Sequence, residues 1–206
     1  MQALAKVANV YCILGNHDLY LKNSTDVNSL VIFRDIPHVK VYDCVTPVFI
    51  NSKTALFVPW LGDVSSIEKS SYDMMFGHFE ISSQWLMKQY VKSNMTQLAV
   101  GQKVQEEIDN DSMLSSSSIQ TPKADVSDIG DFVEVVKEDG VIFSGHIHSH
   151  REMIAHRRKF IFVGSPYQQN LGEKDNHCGF YVIETDGRYS FHEISSTPKH
   201  VQLKLS

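Results

Sequence analysis

Short apolar runs alternate with clusters of turn-forming residues along the chain, and few of the runs are long enough for helices. Residues 7–14, apolar at Val7, Val10, Ile13 and Leu14, read as a buried strand. Residues 28–33 read as a short helical segment and 37–42 as a strand. The runs 48–50 and 54–59 form a hairpin-like pair about Asn51-Ser52-Lys53, and Trp60 and Leu61 extend their apolar surface as packing residues. A strand follows over 72–76, and Trp85, Leu86, Tyr90 and Val91 predict a helix over 82–92 with Ser82 or Ser83 as its cap. The pattern then dissolves. Ser115 to Ser118 form a serine run flanked by Asp109, Asp111, Pro122 and Lys123, which predicts a flexible surface insertion over about 93–125. A helical piece over 98–108 is expected within it, and residues 110–122 are expected to be poorly ordered.

Helical spacing returns over 126–138 at Ile129, Phe132, Val133 and Val136, with Asp139-Gly140 expected to stop it. Strands are predicted over 141–143 and 159–163, the latter closed by Gly164-Ser165-Pro166. Residues 179–184 and 189–194 predict a hairpin about Thr185-Asp186-Gly187-Arg188, and 201–205 a final strand. Many strands with few helices favour a layered α+β or α/β sandwich over a doubly wound sheet. The 206 residues suit one domain with a sizeable core.

Composition narrows the class further. Hydrophobic residues make up 42% and charged residues 21%, as in soluble globular proteins. No apolar run approaches the roughly 20 residues of a membrane helix, and the first residues lack secretory architecture, so an intracellular chain is expected. Cys12, Cys44 and Cys178 form no CxxC pair, which argues against a disulfide framework or a cysteine zinc site. A net charge of -5 argues against a broadly basic nucleic-acid surface. Arg151, His156, Arg157, Arg158 and Lys159 form a local basic run, which reads first as an exposed hairpin with solvated charges and second as a phosphate-binding patch.

The candidate chemistry follows strand ends. Gly15-Asn16-His17-Asp18, Gly77-His78 and Ser144-Gly145-His146-Ile147-His148-Ser149-His150 each come directly after an apolar run. Any one of them is an ordinary turn, but three strands each delivering a histidine after glycine point to one site. Open α/β sheets place ligands at the carboxyl edge, so Asn16, His17, His78, His146 and His148 are expected to converge there. Imidazole nitrogen and amide oxygen are metal donors, histidine moves protons, and Asp18 is placed to orient His17. Alternation along a strand would put His146, His148 and His150 on one face.

In order and placement these motifs resemble the last three signature motifs of the calcineurin-like metallophosphoesterase superfamily. Within it they are most similar to the nuclease subunits of SbcCD-type DNA repair complexes, the T-even phage recombination endonucleases among them. The resemblance is carried by Tyr11-Cys12-Ile13-Leu14-Gly15-Asn16-His17-Asp18, Phe76-Gly77-His78-Phe79-Glu80, Gly164-Ser165-Pro166-Tyr167 and Gly179-Phe180-Tyr181. It implies a metallophosphoesterase-like αββα sandwich in which Asn16, His78 and His146 ligate one divalent metal and His148 a second. His17 would be the catalytic acid that helps the leaving oxygen depart. It further implies two ions, manganese above all, hydrolysis of DNA phosphodiesters, an SbcC-like ATPase partner, a homodimer, and host cytoplasm for a phage-encoded chain. His150 has no role in the resemblance and is expected behind a ligand or at the surface.

One departure stands out. The resembled family opens with Asp-x-His and then Gly-Asp, and neither precedes Gly15, which only fourteen residues precede. Gly62-Asp63 comes after the Asn-His motif and is no substitute. The second metal site is therefore incomplete, and residues 1–206 read as a partial metallophosphoesterase domain, N-terminally truncated or split, with low activity alone. Another metallophosphoesterase, such as a phosphatase, and a non-catalytic scaffold of the same fold are the alternatives.

Overall fold

The computed structural model describes residues 1–79, 129–196 and 198–199. The helix expected over 82–92, the insertion over 93–125 with its piece at 98–108, the stretch 110–122 and the strand over 201–205 lie outside the described residues.

A short helix, α1 (Gln2–Ala5), leads into β1 (Val10–Ile13), which pairs in parallel with β2 (Val39–Tyr42). Val7 is not part of β1; it follows α1 and is 82% exposed, because β2 begins only at Val39 and offers earlier residues no partner. A 3-10 turn over Ser29–Phe33 occupies the predicted helical segment. Among the described residues the main sheet has six strands: β3 (Thr46–Ile50), β4 (Lys53–Val58), β5 (Tyr72–Gly77), β6 (Val136–Ser144), β7 (Arg151–Ala155) and β8 (Arg158–Phe162), in the order β3-β4-β5-β6-β8-β7. Strands β9 (Gly179–Ile183) and β10 (Tyr189–Glu193) form a separate antiparallel pair.

Tight hairpins build both edges of the main sheet. Asn51 and Ser52 turn β3 into β4 with φ of 48° and 64°, and His156 and Arg157 turn β7 into β8 with φ of 48° and 65°. Two successive left-handed residues twist a two-residue loop with the strands it joins. The four inner strands β4, β5, β6 and β8 are mutually parallel.

Alternation along these strands separates two faces. Leu56, Val58, Met75, Ile142, Phe160 and Phe162 point to one, where they pack with Val64, Phe79, Val133 and Val135. Ala55, Phe57, Met74, Val141, Phe143 and Ile161 point to the other, covered by Ile13 and Tyr42 from the β1/β2 pair and by Tyr181, Ile183 and Tyr189 from β9/β10. Rings continue across this second face from Tyr42 through Phe57, Phe76 and Phe143 to Tyr181, at centroid separations of 5.2, 5.4, 5.3 and 5.3 Å. Such pairs add about 0.5–1.5 kcal/mol each beyond area burial, and they seat both small sheets on the large one. This mixed sheet, with few helices among the described residues, is compatible with the expected layered sandwich.

The helical reading of 126–138 needs correction. Helix α2 (Ile129–Glu134) ends at Glu134, and Val136 already belongs to β6, paired with Tyr72. Val133, in the last turn of α2, and Val136, the first residue of β6, are both fully buried in the same core, so apolar positions from two elements read as one helical spacing. Nor does Asp139-Gly140 stop an element. Asp139 adopts φ 61° inside β6, where the pairing with β5 slips between Tyr72 and Met74. A Cβ on Gly140 would lie 2.9 Å from the Asp73 carbonyl oxygen.

The basic run forms the β7–β8 hairpin without free cations at its centre. Arg158 is 6% exposed, its Nε donating to the Val136 carbonyl at 2.9 Å and an Nη to the His156 carbonyl at 2.6 Å. Arg157 faces Glu138 at 3.2 Å and Lys159 faces Glu152 at 2.7 Å. A guanidinium is tolerated in the interior here because the carbonyls of Val136 at the start of β6 and of His156 in the hairpin turn accept its protons.

That irregularity is also tied by Asp73. Its Oδ2 accepts the Thr54 N–H at 2.7 Å and the Thr54 hydroxyl at 2.8 Å, and its Oδ1 accepts Lys137 Nζ at 2.9 Å, joining β4, β5 and β6. Partial burial pulls this carboxyl upward, but the Lys137 ammonium and the Thr54 donors outweigh it and hold the pKa at about 2. The folded value lies below the ordinary 3.8, so the group adds stability above about pH 4 that is lost as pH falls towards 2. Asp73→Asn is expected to lower the unfolding free energy at neutral pH by about 1–2 kcal/mol and to flatten the stability profile over that acid window. Urea denaturation of both proteins across the window measures this; a variant with the unchanged acid profile assigns the acid loss elsewhere.

Candidate functional site

Parallel strands end on one edge, and a succession of backbone bonds stitches that edge together. The Trp60 N–H donates to the Leu14 carbonyl at 2.8 Å, that of His78 to Val58 at 3.2 Å, and that of Gly145 to Gly77 at 2.8 Å. Val163 donates to Ser144 at 2.9 Å and Ser165 to His148 at 2.9 Å. Each of the loops after β1, β4, β5, β6 and β8 is thereby held to its neighbour, and together they carry the candidate residues.

His78 is at the centre. Its ring is clasped between two glycines: a Cβ on Gly15 would meet Cε1 at 3.0 Å, and one on Gly145 would meet Nδ1 at 2.8 Å. Its Nε2 donates to Asn16 Oδ1 at 2.9 Å. The ring centroids of His78 and His146 are 5.3 Å apart, and Trp60 packs on both, at 6.0 and 5.2 Å. Burial, reinforced by the charge of His146, lowers the His78 pKa to about 4. Burial, with the charges of His148 and His17, does the same for His146, also to about 4. Both rings are therefore neutral at pH 7, with lone pairs to offer.

His17 is exposed at the rim in the 3-10 turn Asn16–Asp18, near enough for its charge to act on both buried rings. Asp18 does not bond to it. Oδ2 of Asp18 accepts the Gly15 N–H at 2.8 Å and Oδ1 the Ser29 hydroxyl at 2.8 Å, so the carboxylate closes the turn that presents Asn16 and His17. His148 stands beside His146, and its Nδ1 donates to Glu173 Oε1 at 2.9 Å.

The expectation that His146, His148 and His150 share a strand face is not met. Strand β6 ends at Ser144, and His146 adopts φ 73°, so the histidines lie in a loop where alternation no longer applies. His150 turns away, stacking on Phe191 at 4.0 Å and donating from Nε2 to the Tyr181 hydroxyl at 2.6 Å, which itself donates to Glu152 at 2.6 Å. Asn16, His78 and His146 are brought into contact, with His148 and His17 beside them. Trp60, expected only to pack, roofs the two buried rings. Glu173 carried no signal in sequence beyond being an acid in a short loop.

In donor type the set suits a divalent ion, since neutral imidazole and amide oxygen are ligands for zinc, manganese or iron. Two donors of one ion at about 2.1 Å and near right angles stand about 3 Å apart. Asn16 Oδ1 and His78 Nε2 have that separation, 2.9 Å, and His78 would offer Nε2 to a cation with its ring proton moved to Nδ1. Among the described residues, however, no group of three or more His, Cys, Asp or Glu side chains is gathered closely enough to enclose an ion.

No protein-family model matches the chain. It is similar to "Exonuclease subunit 1" of Enterobacteria phage T4, 25% identical over 184 residues, which cover 86% of this chain and 42% of that protein. The chain thus spans less than half the length of the curated relative it matches.

If the two glycines set the place of His78, adding one carbon must move it. Gly145→Ala is expected to cost about 1–3 kcal/mol through overpacking and to break the His78–Asn16 bond. Thermal denaturation and the ring chemical shifts of His78 check this, and unchanged shifts would show that the ring has room.

Proposed function

We propose that the chain is a metal-dependent phosphodiesterase that acts on DNA, as a metallophosphoesterase-type nuclease subunit of a recombination or repair complex. The observation that carries this reading is the meeting of Asn16, His78 and His146 at one sheet edge, with His17 exposed beside them. The similarity to the exonuclease subunit of phage T4 supports the nuclease part. The resemblance of the three strand-end motifs supports the rest: manganese as the metal, DNA as substrate, an SbcC-like ATPase as partner, a homodimer, and host cytoplasm as the setting. Among the described residues no helix is long and apolar enough to cross a membrane.

Asn16, His78 and His146 would hold one cation and His148 would contribute to a second. A divalent ion bound there supplies Lewis acidity to a phosphoryl oxygen. The neutral rings of His78 and His146 offer lone pairs without first shedding a charge, and Trp60 keeps water from them. His17 would carry a proton on a ring nitrogen and pass it to the departing sugar oxygen as the P–O bond breaks, while water adds to phosphorus and gives up a proton to solvent. General acids of this kind are worth roughly 10²–10⁴ in rate.

The test combines Mn²⁺ titration, followed by electron paramagnetic resonance, with cleavage of linear DNA. Weak Mn²⁺ uptake is expected, because the donors named are all neutral, and His146→Ala should abolish it. His17→Ala should retain Mn²⁺ and cleave at least tenfold more slowly. Hydrolysis of p-nitrophenyl phosphate but not DNA would favour a phosphatase. No uptake and no cleavage would leave the sandwich as a scaffold.

A further inference from the structure

Glu173 is the residue whose position the proposed chemistry leaves unexplained. It closes the 3-10 turn Leu171–Glu173 between β8 and β9, 25 positions from His148, and is only 6% exposed. A buried carboxylate is costly unless donors surround it. Here Oε2 accepts the Gln169 N–H at 2.8 Å, while Oε1 accepts Asn170 Nδ2 at 2.7 Å and faces His148 Nδ1 at 2.9 Å. The turn is braced in its own right, with Gln168 Nε2 donating to the Lys174 carbonyl at 2.7 Å and the Ser165 hydroxyl to the Tyr167 carbonyl at 2.7 Å.

The same segment holds the histidine loop by its backbone. Ser165 N–H donates to the His148 carbonyl at 2.9 Å, and Ser149 Oγ meets Asn176 Oδ1 at 3.1 Å. Gly164, at φ 79°, passes so close that a Cβ would lie 3.0 Å from the His148 oxygen and 2.8 Å from the His150 nitrogen. A loop fixed at three points by one neighbouring segment has little freedom left, and the remaining variable at His148 is which ring nitrogen carries the proton.

Building on the metal-dependent reading, we infer that Glu173 is a positioning residue that holds His148 as the Nδ1–H tautomer and leaves the Nε2 lone pair as a donor to a divalent cation. An ionised carboxylate has no proton to give, so the shared proton belongs to Nδ1 and the opposite nitrogen is bare. A carboxylate behind a ligating imidazole fixes its orientation and raises its basicity, and loss of such a partner weakens metal binding about 10–100-fold. A purely structural role, clamping the turn 168–174, would need Glu173 but would be indifferent to the His148 proton.

The experiment reads that proton directly, on the 206-residue chain without metal at about pH 8, where imidazoles are neutral. Long-range ¹H–¹⁵N correlation spectra are expected to show His148 protonated at Nδ1 in the wild type. Glu173→Ala, or Glu173→Gln where the alanine variant does not fold, should lose that exclusive state and bind Mn²⁺ about 10–100-fold more weakly. The tautomer with its loss on substitution supports the positioning role even where Mn²⁺ does not bind, which would count against the metal reading alone. Wild-type His148 protonated at Nε2 overturns the inference. So does a substituted protein with the wild-type tautomer and Mn²⁺ affinity.

Discussion

The arrangement depends on parallel pairing of β4, β5, β6 and β8. Parallel strands all end on one edge, so every loop that leaves them emerges beside the others. Residues 60, 78, 146 and 165 are thereby neighbours although nothing in their spacing says so. Backbone donors then lock the loops pairwise, Trp60 to Leu14, His78 to Val58, Gly145 to Gly77 and Val163 to Ser144. Because β1 belongs to a different small sheet, the Trp60–Leu14 bond is what brings the Asn16 turn to the same edge. The aromatic contacts of Tyr42 with Phe57 and of Tyr181 with Phe143 press both small sheets onto the large one and hold that alignment from below.

Close approach decides the electrostatics of the edge. Gly15 and Gly145 let two backbones come within contact distance of the His78 ring, and Trp60 covers what they leave open. A ring so enclosed cannot hydrate a positive charge. The charge of His146 disfavours protonation of His78 as well, and those of His148 and His17 disfavour that of His146, so both rings are neutral through the physiological range. Glycine at these positions thus acts through the pKa of a side chain some sixty residues away in sequence.

What was legible in the sequence was local. Each Gly-His pair after an apolar run, the Asn51-Ser52 hairpin and the β9–β10 hairpin depend on residues a few positions apart, and they stand where the pattern put them. The helix–strand boundary at Glu134–Val136 was not legible, since β-branched residues at helical spacing suit both elements and pairing with Tyr72 decided between them. The shared face of His146, His148 and His150 failed for another reason: strand periodicity says nothing about where the strand ends. Trp60 was legible only as a packing residue and Arg158 only as one of a basic run, and Asp73 and Glu173 carried no signal, because each owes its role to a partner brought by the sheet, such as Lys137, Val136 or His148.

Among the described residues, the acids nearest the site, Asp18 and Glu173, stand behind its donors. Asp18 spends both oxygens on Gly15 and Ser29, and Glu173 faces His148 through a ring proton, so neither presents a free oxygen to the cluster of Asn16, His78 and His146. Negative charge at that remove stiffens ligands and raises their basicity but attracts a cation only through an intervening ring or turn. Among the described residues, then, the edge is organised to orient neutral donors and is poor in the charge that would draw two dications together against their repulsion. Under the metal-dependent reading proposed above, the affinity of such a site for a cation would be set mainly by how little the donors must reorganise. The double clasp on His78, the carboxylate behind His148 and the closed turn under Asn16 all act to make that reorganisation small.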